Sequence, residues 1–174
     1  YVGIQPIIVD LDGDGVELSV NQGTSFDWDN DGYREQSSWA SSDDGLLVID
    51  LNADGSRGTG DGVIDQTNEL VFSNWVDWPN WDATDLQALA TFDRYASRGG
   101  NNDGRLTVAD GVWSELRIWQ DVNSDGVSNA SELFTLNQLG ISSINLGYDD
   151  GTQYGDTDND INIFGNTLHG VASM

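Results

Sequence analysis

The sequence has no cysteine, no lysine, one histidine and only two prolines. Without cysteine there are no disulfides, no thiolate zinc sites and no thiol nucleophile. A lone imidazole, His169, is too little for a zinc site, and serine–histidine catalysis would rest on it entirely. Any metal held here is held by oxygen. Positive charge is scarce as well: six arginines face 30 Asp and Glu, for a formal charge of −24. That field disfavours ligands reached through phosphate contacts, so nucleic acid is excluded as a partner. The longest apolar runs, such as "PIIV" and "GLLVI", fall far short of the roughly 20 residues of a membrane span. No membrane insertion is expected, and no basic segment followed by an apolar stretch reads as a signal peptide.

At 174 residues the chain is the size of one domain, 1–174. Low hydrophobicity with high net charge usually marks a disordered chain, yet seven Trp, five Tyr and five Phe are too much aromatic surface for that class. The conflict is removed if bound cations neutralise the acid. Two like charges ~5 Å apart, at an effective dielectric near 20, repel by roughly 3 kcal/mol, so clustered carboxylates oppose compaction until a cation lies between them.

The acid recurs as one pattern, D-x-[DN]-x-D-G: "DLDGDG" at 10–15, "DWDNDG" at 27–32, "DLNADG" at 50–55 and "DVNSDG" at 121–126. Oxygen ligands at positions 1, 3 and 5 converge, and a glycine at position 6 makes the sharp turn of a calcium loop. The last copy is the most complete, with Asp121, Asn123, Asp125, the carbonyl of Val127, Asn129 and a closing Glu132. Upstream of it, Asp93, Asn101, Asp103, Thr107 and Asp110 have ligand spacing in a longer loop. In the third copy Asp50 and Asn52 are followed by Asp54 or Asp61 as competing ligands, then by Asp65 and Glu69; the spacing does not choose between Asp54 and Asp61. The first two copies, Asp10, Asp12, Asp14 and Asp27, Asp29, Asp31, lack a closing glutamate. Each reads either as a half-site completed by a distant carboxylate such as Asp43 or Asp44, or as a structural turn. "GGNND" has no tandem period, so a calcium β-roll is rejected.

Apolar residues Val112, Leu116 and Trp119 at helical spacing predict a helix over 110–119, and a second is expected over 131–139, ending at Gly140. Together with the two loops they flank, these would form an EF-hand pair. Short strands are expected in "IIVDL", "LLVIDL" and "SINLG", and a helix over 85–96 capped by Thr84. The expected architecture is α+β, with EF-hand-like calcium loops tying short strands to helices.

The order of these motifs resembles the calcium-dependent self-processing module of RTX proteins and the related peptide-binding domains of RTX adhesins. The resemblance is carried by "PIIVDLDGDGVE", "DWDNDGYR", "WASSDDGLLVIDLNADG", "GVIDQTNELVF", "LRIWQDVNSDGVSNASEL", "LNQLGISSINL" and "GNTLHG", from Pro6 to about residue 170. It implies an extracellular or bacterial cell-surface protein holding about three to six calcium ions. It further implies a monomeric domain within a larger chain, this sequence being a fragment. In self-processing members an Asp precedes the proline and its carboxylate attacks its own carbonyl, giving a cyclic anhydride and a freed proline nitrogen. Gln5 stands there in this chain, and an amide cannot form that anhydride, so self-cleavage at 5–6 is expected to be absent and no catalytic residue is assigned.

The resemblance to the adhesin domains then implies a binding role toward a peptide or protein surface, including a free C-terminus. In "WVDWPNW", Trp75, Trp78 and Trp81 form either a ligand wall or a hydrophobic plug. Arg94, Arg98 and Arg105 are candidates to receive a carboxylate, with charge balance as the rival reading. The segment 148–162 reads as a solvated acidic loop. A carbohydrate-binding module and a calcium-activated autoprotease are the alternatives.

Overall fold

The computed structural model describes residues 6–19, 23–76, 84–146 and the backbone of 161–163 and 166–168. Gln5, Trp78, Trp81, His169 and the acidic stretch 148–160 lie outside the described residues. The chain divides into two compact units: 6–70 with 115–136, and 71–114 with 137–174 and 1–5.

The first unit is built on a four-stranded antiparallel sheet. Strands β1 (Ile8–Val9), β6 (Gly45–Ile49), β8 (Leu116–Trp119) and β9 (Leu133–Thr135) lie in the order β1-β6-β8-β9. All five residues of β6 are buried, as a central strand covered on both faces requires. Its register pairs Leu47 with Ile118 and Ile49 with Leu116. Gly45 is needed where β6 meets β8, since a Cβ there would lie 2.3 Å from Ile118 Cγ2. Two small two-stranded antiparallel sheets complete the unit: β2 (Leu18–Ser19) with β5 (Trp39–Ala40), and, between them in the chain, β3 (Ser25–Phe26) with β4 (Glu35–Gln36). They bring Phe26, Trp28, Trp39 and Trp119 into one aromatic cluster, with ring centroids 4.9 Å apart for Phe26–Trp28 and 5.3 Å for Trp39–Trp119. The one-turn helix α1 (Thr67–Leu70) packs on β6.

The second unit centres on α2 (Asp85–Arg94), which starts as its sequence predicts. Thr84 accepts from the Gln87 N–H while the Gln87 side chain takes the Thr84 N–H, a reciprocal cap. Ala88, Leu89 and Phe92 turn inward onto the 3₁₀ turn Phe72–Trp75 and onto β7 (Arg105–Leu106), which pairs with β10 (Ile144–Asn145). Strands β11 (Ile161–Ile163) and β12 (Asn166–Leu168) form a further antiparallel pair.

Strands therefore occur in all three expected runs, and the mixed α+β content stands. The EF-hand pair does not form. The expected helix at 110–119 is a 3₁₀ turn (Gly111–Ser114) followed by β8, and that at 131–139 is β9 followed by a 3₁₀ turn (Leu136–Leu139). Val112, Leu116 and Trp119 fit a helical period, but Leu116 and Ile118 also alternate, and a sheet edge offered by β6 decides between the two.

Candidate metal sites

The acidic loops share one backbone geometry. In 121–132, Asp121 accepts the N–H groups of Asp125 (3.2 Å) and Gly126 (2.8 Å), Asn123 accepts that of Asp125 (3.2 Å), and Asp125 accepts that of Val127 (2.8 Å). The same set recurs from Asp27, Asp29 and Asp31 to the N–H groups of Asp31, Gly32 and Tyr33. It recurs again from Asp93, Asn101 and Asp103 to Asp103, Gly104 and Arg105. Asp10 likewise takes the N–H of Gly15 at 3.0 Å, and Asp12 that of Asp14 at 3.2 Å. The three described non-glycine residues with positive φ, Asn30, Asn102 and Ser124, all stand at position 4 of such a loop, with a positive-φ glycine two residues on. Short polar side chains are the ones that tolerate that conformation.

In the third loop the same geometry recurs around Asp61 and not around Asp54. Gly62 donates to Asp50 at 3.0 Å and Val63 to Asp61 at 3.0 Å, which makes Asp61 the fifth position and Gly62 the sixth. Gly60 has a φ of +74°, and a Cβ on it would fall 2.2 Å from the Asp50 carboxylate. Asn52 and Asp54 belong to an inserted turn: Asn52 Nδ2 donates to Ser56 Oγ (2.9 Å), and Asp54 accepts the Ser56 N–H (3.0 Å) and hydroxyl (2.6 Å).

Three carboxylate oxygens approach within 4.8 Å of one another in two places, Asp10–Asp12–Asp44 and Asp27–Asp29–Glu35. The distant residue that completes the first set is Asp44, 2% exposed and accepting the Glu17 N–H at 2.7 Å; Asp43 instead takes the Ser41 hydroxyl. The D-x-[DN]-x-D-G pattern does not reach Glu35, which occupies position 9 of its loop, where Asn129 stands in 121–132. Asp14, next to the first set, is pushed up to about 6 by its hydrogen bond and charge repulsion with Asp12.

The closing residues are buried and differ in how they are satisfied. Glu69 accepts three backbone N–H groups, from Leu51, Asp65 and Gln66 at 2.9–3.0 Å, and burial still pushes it up to about 7. Asp110 accepts those of Thr107 (2.8 Å) and Asn101 (3.2 Å). Glu132 is 5% exposed, and its Oε2 is buried without a hydrogen-bond partner among the described residues. Burial raises both Glu132 and Asp121, and Asp121 raises Glu132 further. An uncompensated carboxylate of this kind is costly unless a cation meets it.

Of the ligand candidates, Trp75 is half-buried, edge-on to Phe92 with centroids 5.8 Å apart. Arg98 is engaged: it donates to Thr91 Oγ1 (2.8 Å) and to the Trp75 carbonyl, and its guanidinium lies 5.1 Å from the Phe92 ring centroid. Arg94 and Arg105 are exposed. No helix among the described residues is long and apolar enough to cross a membrane.

A model of the SPM domain matches residues 7–170. The iron-regulated protein FrpA of Neisseria meningitidis serogroup C is 41% identical over 154 residues, covering 86% of this chain and 13% of that protein.

Proposed function

The chain belongs to the SPM domain family, and from that premise we propose that it is a calcium-dependent binding module of a secreted RTX-type adhesin, without a self-processing step. The observation that carries the calcium reading is the orphaned Glu132 Oε2 beside buried Asp121, at the end of the most complete loop. The donors suit a hard cation, being carboxylate, amide and carbonyl oxygens throughout. Asp121, Asn123, Asp125, Val127, Asn129 and Glu132 would hold one ion. Asp93, Asn101, Asp103 and Asp110 would hold a second, and Asp50, Asp61, Asp65 and Glu69 a third. Asp10, Asp12 and Asp44, and Asp27, Asp29 and Glu35, are the donors of two more. Calcium supplies the positive charge that lets these carboxylates stay ionised and close together.

Gln5 supports loss of cleavage, since it has no carboxylate to attack its own carbonyl. The role left is recognition of peptide or protein ends, for which Arg94 and Arg105 are the exposed cationic side chains.

Calcium calorimetry on the wild type and on Glu132→Gln tests the first part. The variant is expected to lose about 10–100-fold in affinity at one site; identical isotherms would remove the reading. For the second part, mass spectrometry after calcium incubation should show an intact wild type, and a Gln5→Asp variant should release a fragment beginning at Pro6. Release from the wild type would overturn the inert assignment. Peptide arrays with free and amidated C-termini, run beside a glycan array, test the ligand class.

A further inference from the structure

Three consecutive carbonyls of the 121–132 loop are held by a segment almost a hundred residues away in sequence but in the same compact unit. Thr24 Oγ1 donates to the Ser124 carbonyl at 2.7 Å. Arg34 Nη2 donates to the Asp125 carbonyl at 3.1 Å and closely to the Gly126 carbonyl, and it also binds the Ser25 carbonyl. A peptide group is planar, so fixing the carbonyl of one residue fixes the N–H of the next. The N–H groups paired with these three carbonyls belong to Asp125, Gly126 and Val127, the donors that orient Asp121, Asn123 and Asp125 inside the loop. The fit is tight, since a Cβ on Gly126 would lie 2.3 Å from the Ser25 carbonyl. Thr24 and Arg34 bracket Asp27 and Asp29 in sequence, and Arg34 adjoins Glu35.

We propose that Thr24 and Arg34 are positioning residues for the 121–132 cation site, and that through them a cation held at Asp27, Asp29 and Glu35 raises the cation affinity of the 121–132 loop. This rests on the calcium reading above. A cation there fixes the backbone that carries Arg34; Arg34 fixes two of the three peptide planes that aim the other loop's carboxylates, and Thr24 fixes the third. The coupling is reciprocal by linkage.

Terbium binding, read by luminescence sensitised through tryptophan, and calcium calorimetry on the same 174-residue chain form the test. The step lost in Asp121→Asn identifies the 121–132 site. Asp27→Asn is expected to weaken that step by about fivefold or more, and Arg34→Gln by a similar factor. The double variant should be no weaker than Arg34→Gln alone. Thr24→Val removes the hydrogen bond to the Ser124 carbonyl without changing any charge, so a weaker 121–132 step in that variant as well separates positioning from charge balance. If Arg34→Gln fails to fold, Thr24→Val, which removes one hydrogen bond, replaces it in the same cycle with a smaller loss. Losses that multiply independently, or an Asp27→Asn variant with unchanged affinity at the 121–132 site, overturn the coupling while leaving the calcium reading intact. A wild type that binds neither ion overturns both.

Discussion

Asp85 opens α2 with 2% exposure; its Oδ1 accepts the Ser73 N–H at 2.8 Å and its Oδ2 has no partner among the described residues. Burial pushes this carboxyl up to about 6. An unfolded Asp titrates near 3.9, so the folded state holds its proton longer, and the stability present below about pH 4 is lost as pH rises through about 6. A two-unit shift corresponds to roughly 3 kcal/mol, offset by up to about 1 kcal/mol of favourable charge at a helix start. Asp85→Asn should therefore raise the melting temperature by several degrees at pH 7.5 in saturating calcium, and change it little at pH 4. Calorimetry at the two pH values checks it, and an equal shift at both would discard the assignment. Nothing in the spacing around residue 85 beyond its place after Thr84 foretold the burial, because the Phe72–Trp75 turn that covers it is set by tertiary packing.

At the scale of elements, the loops were legible and their flanks were not. D-x-[DN]-x-D-G dictates its own hydrogen bonds within six residues, so 10–15, 27–32 and 121–126 form as their spacing says. In the third loop the shared hydrogen-bond pattern falls on Gly60-Asp61-Gly62 beside Asp50 and not on the motif ending at Gly55. Asp54→Ala should leave calcium stoichiometry unchanged and cost about 0.5 kcal/mol or less, as exposed substitutions do. Asp61→Ala should abolish one binding event. Reversal of that pattern in calorimetric titrations would restore Asp54. The flanks of 121–132 became strands because β6 offered a paired edge, so Ile118, fully buried between β6 and β9, belongs to a sheet core. Ile118→Ala should cost about 2–5 kcal/mol by denaturant unfolding in calcium.

For the whole molecule the governing quantity is charge. Five divalent ions would take the formal charge from −24 to −14, relaxing the clusters without neutralising the surface. Glu69, Asp121 and Glu132 are raised chiefly by burial and Asp14 chiefly by Asp12, so in chelator the fold is favoured by protonation. The stability that Asp14 and Glu69 contribute in their protonated form is present below about pH 4 and lost as pH rises through about 6 for Asp14 and about 7 for Glu69, and Asp121 and Glu132 act in the same direction. In calcium the sign reverses, since protons compete with the ion for the same oxygens. Melting curves in chelator should move upward from pH 7.5 to pH 5.5, and those at limiting calcium downward. Parallel movement in both would refute the ion-linked account.

The sequence by itself determined that any donors are oxygen, the turns at 10–15, 27–32 and 121–126, the start of α2 and the absence of a carboxylate before Pro6, because each depends on residue types or on residues within a few positions of one another. Tertiary structure alone decided that 116–119 is a strand, that Asp44 and not Asp43 joins Asp10, that Arg98 is committed to Trp75 and Phe92, and that Arg34 grips the 121–132 loop. Those outcomes turn on which surfaces the packed chain brings within hydrogen-bonding distance, and local spacing carries no information about that.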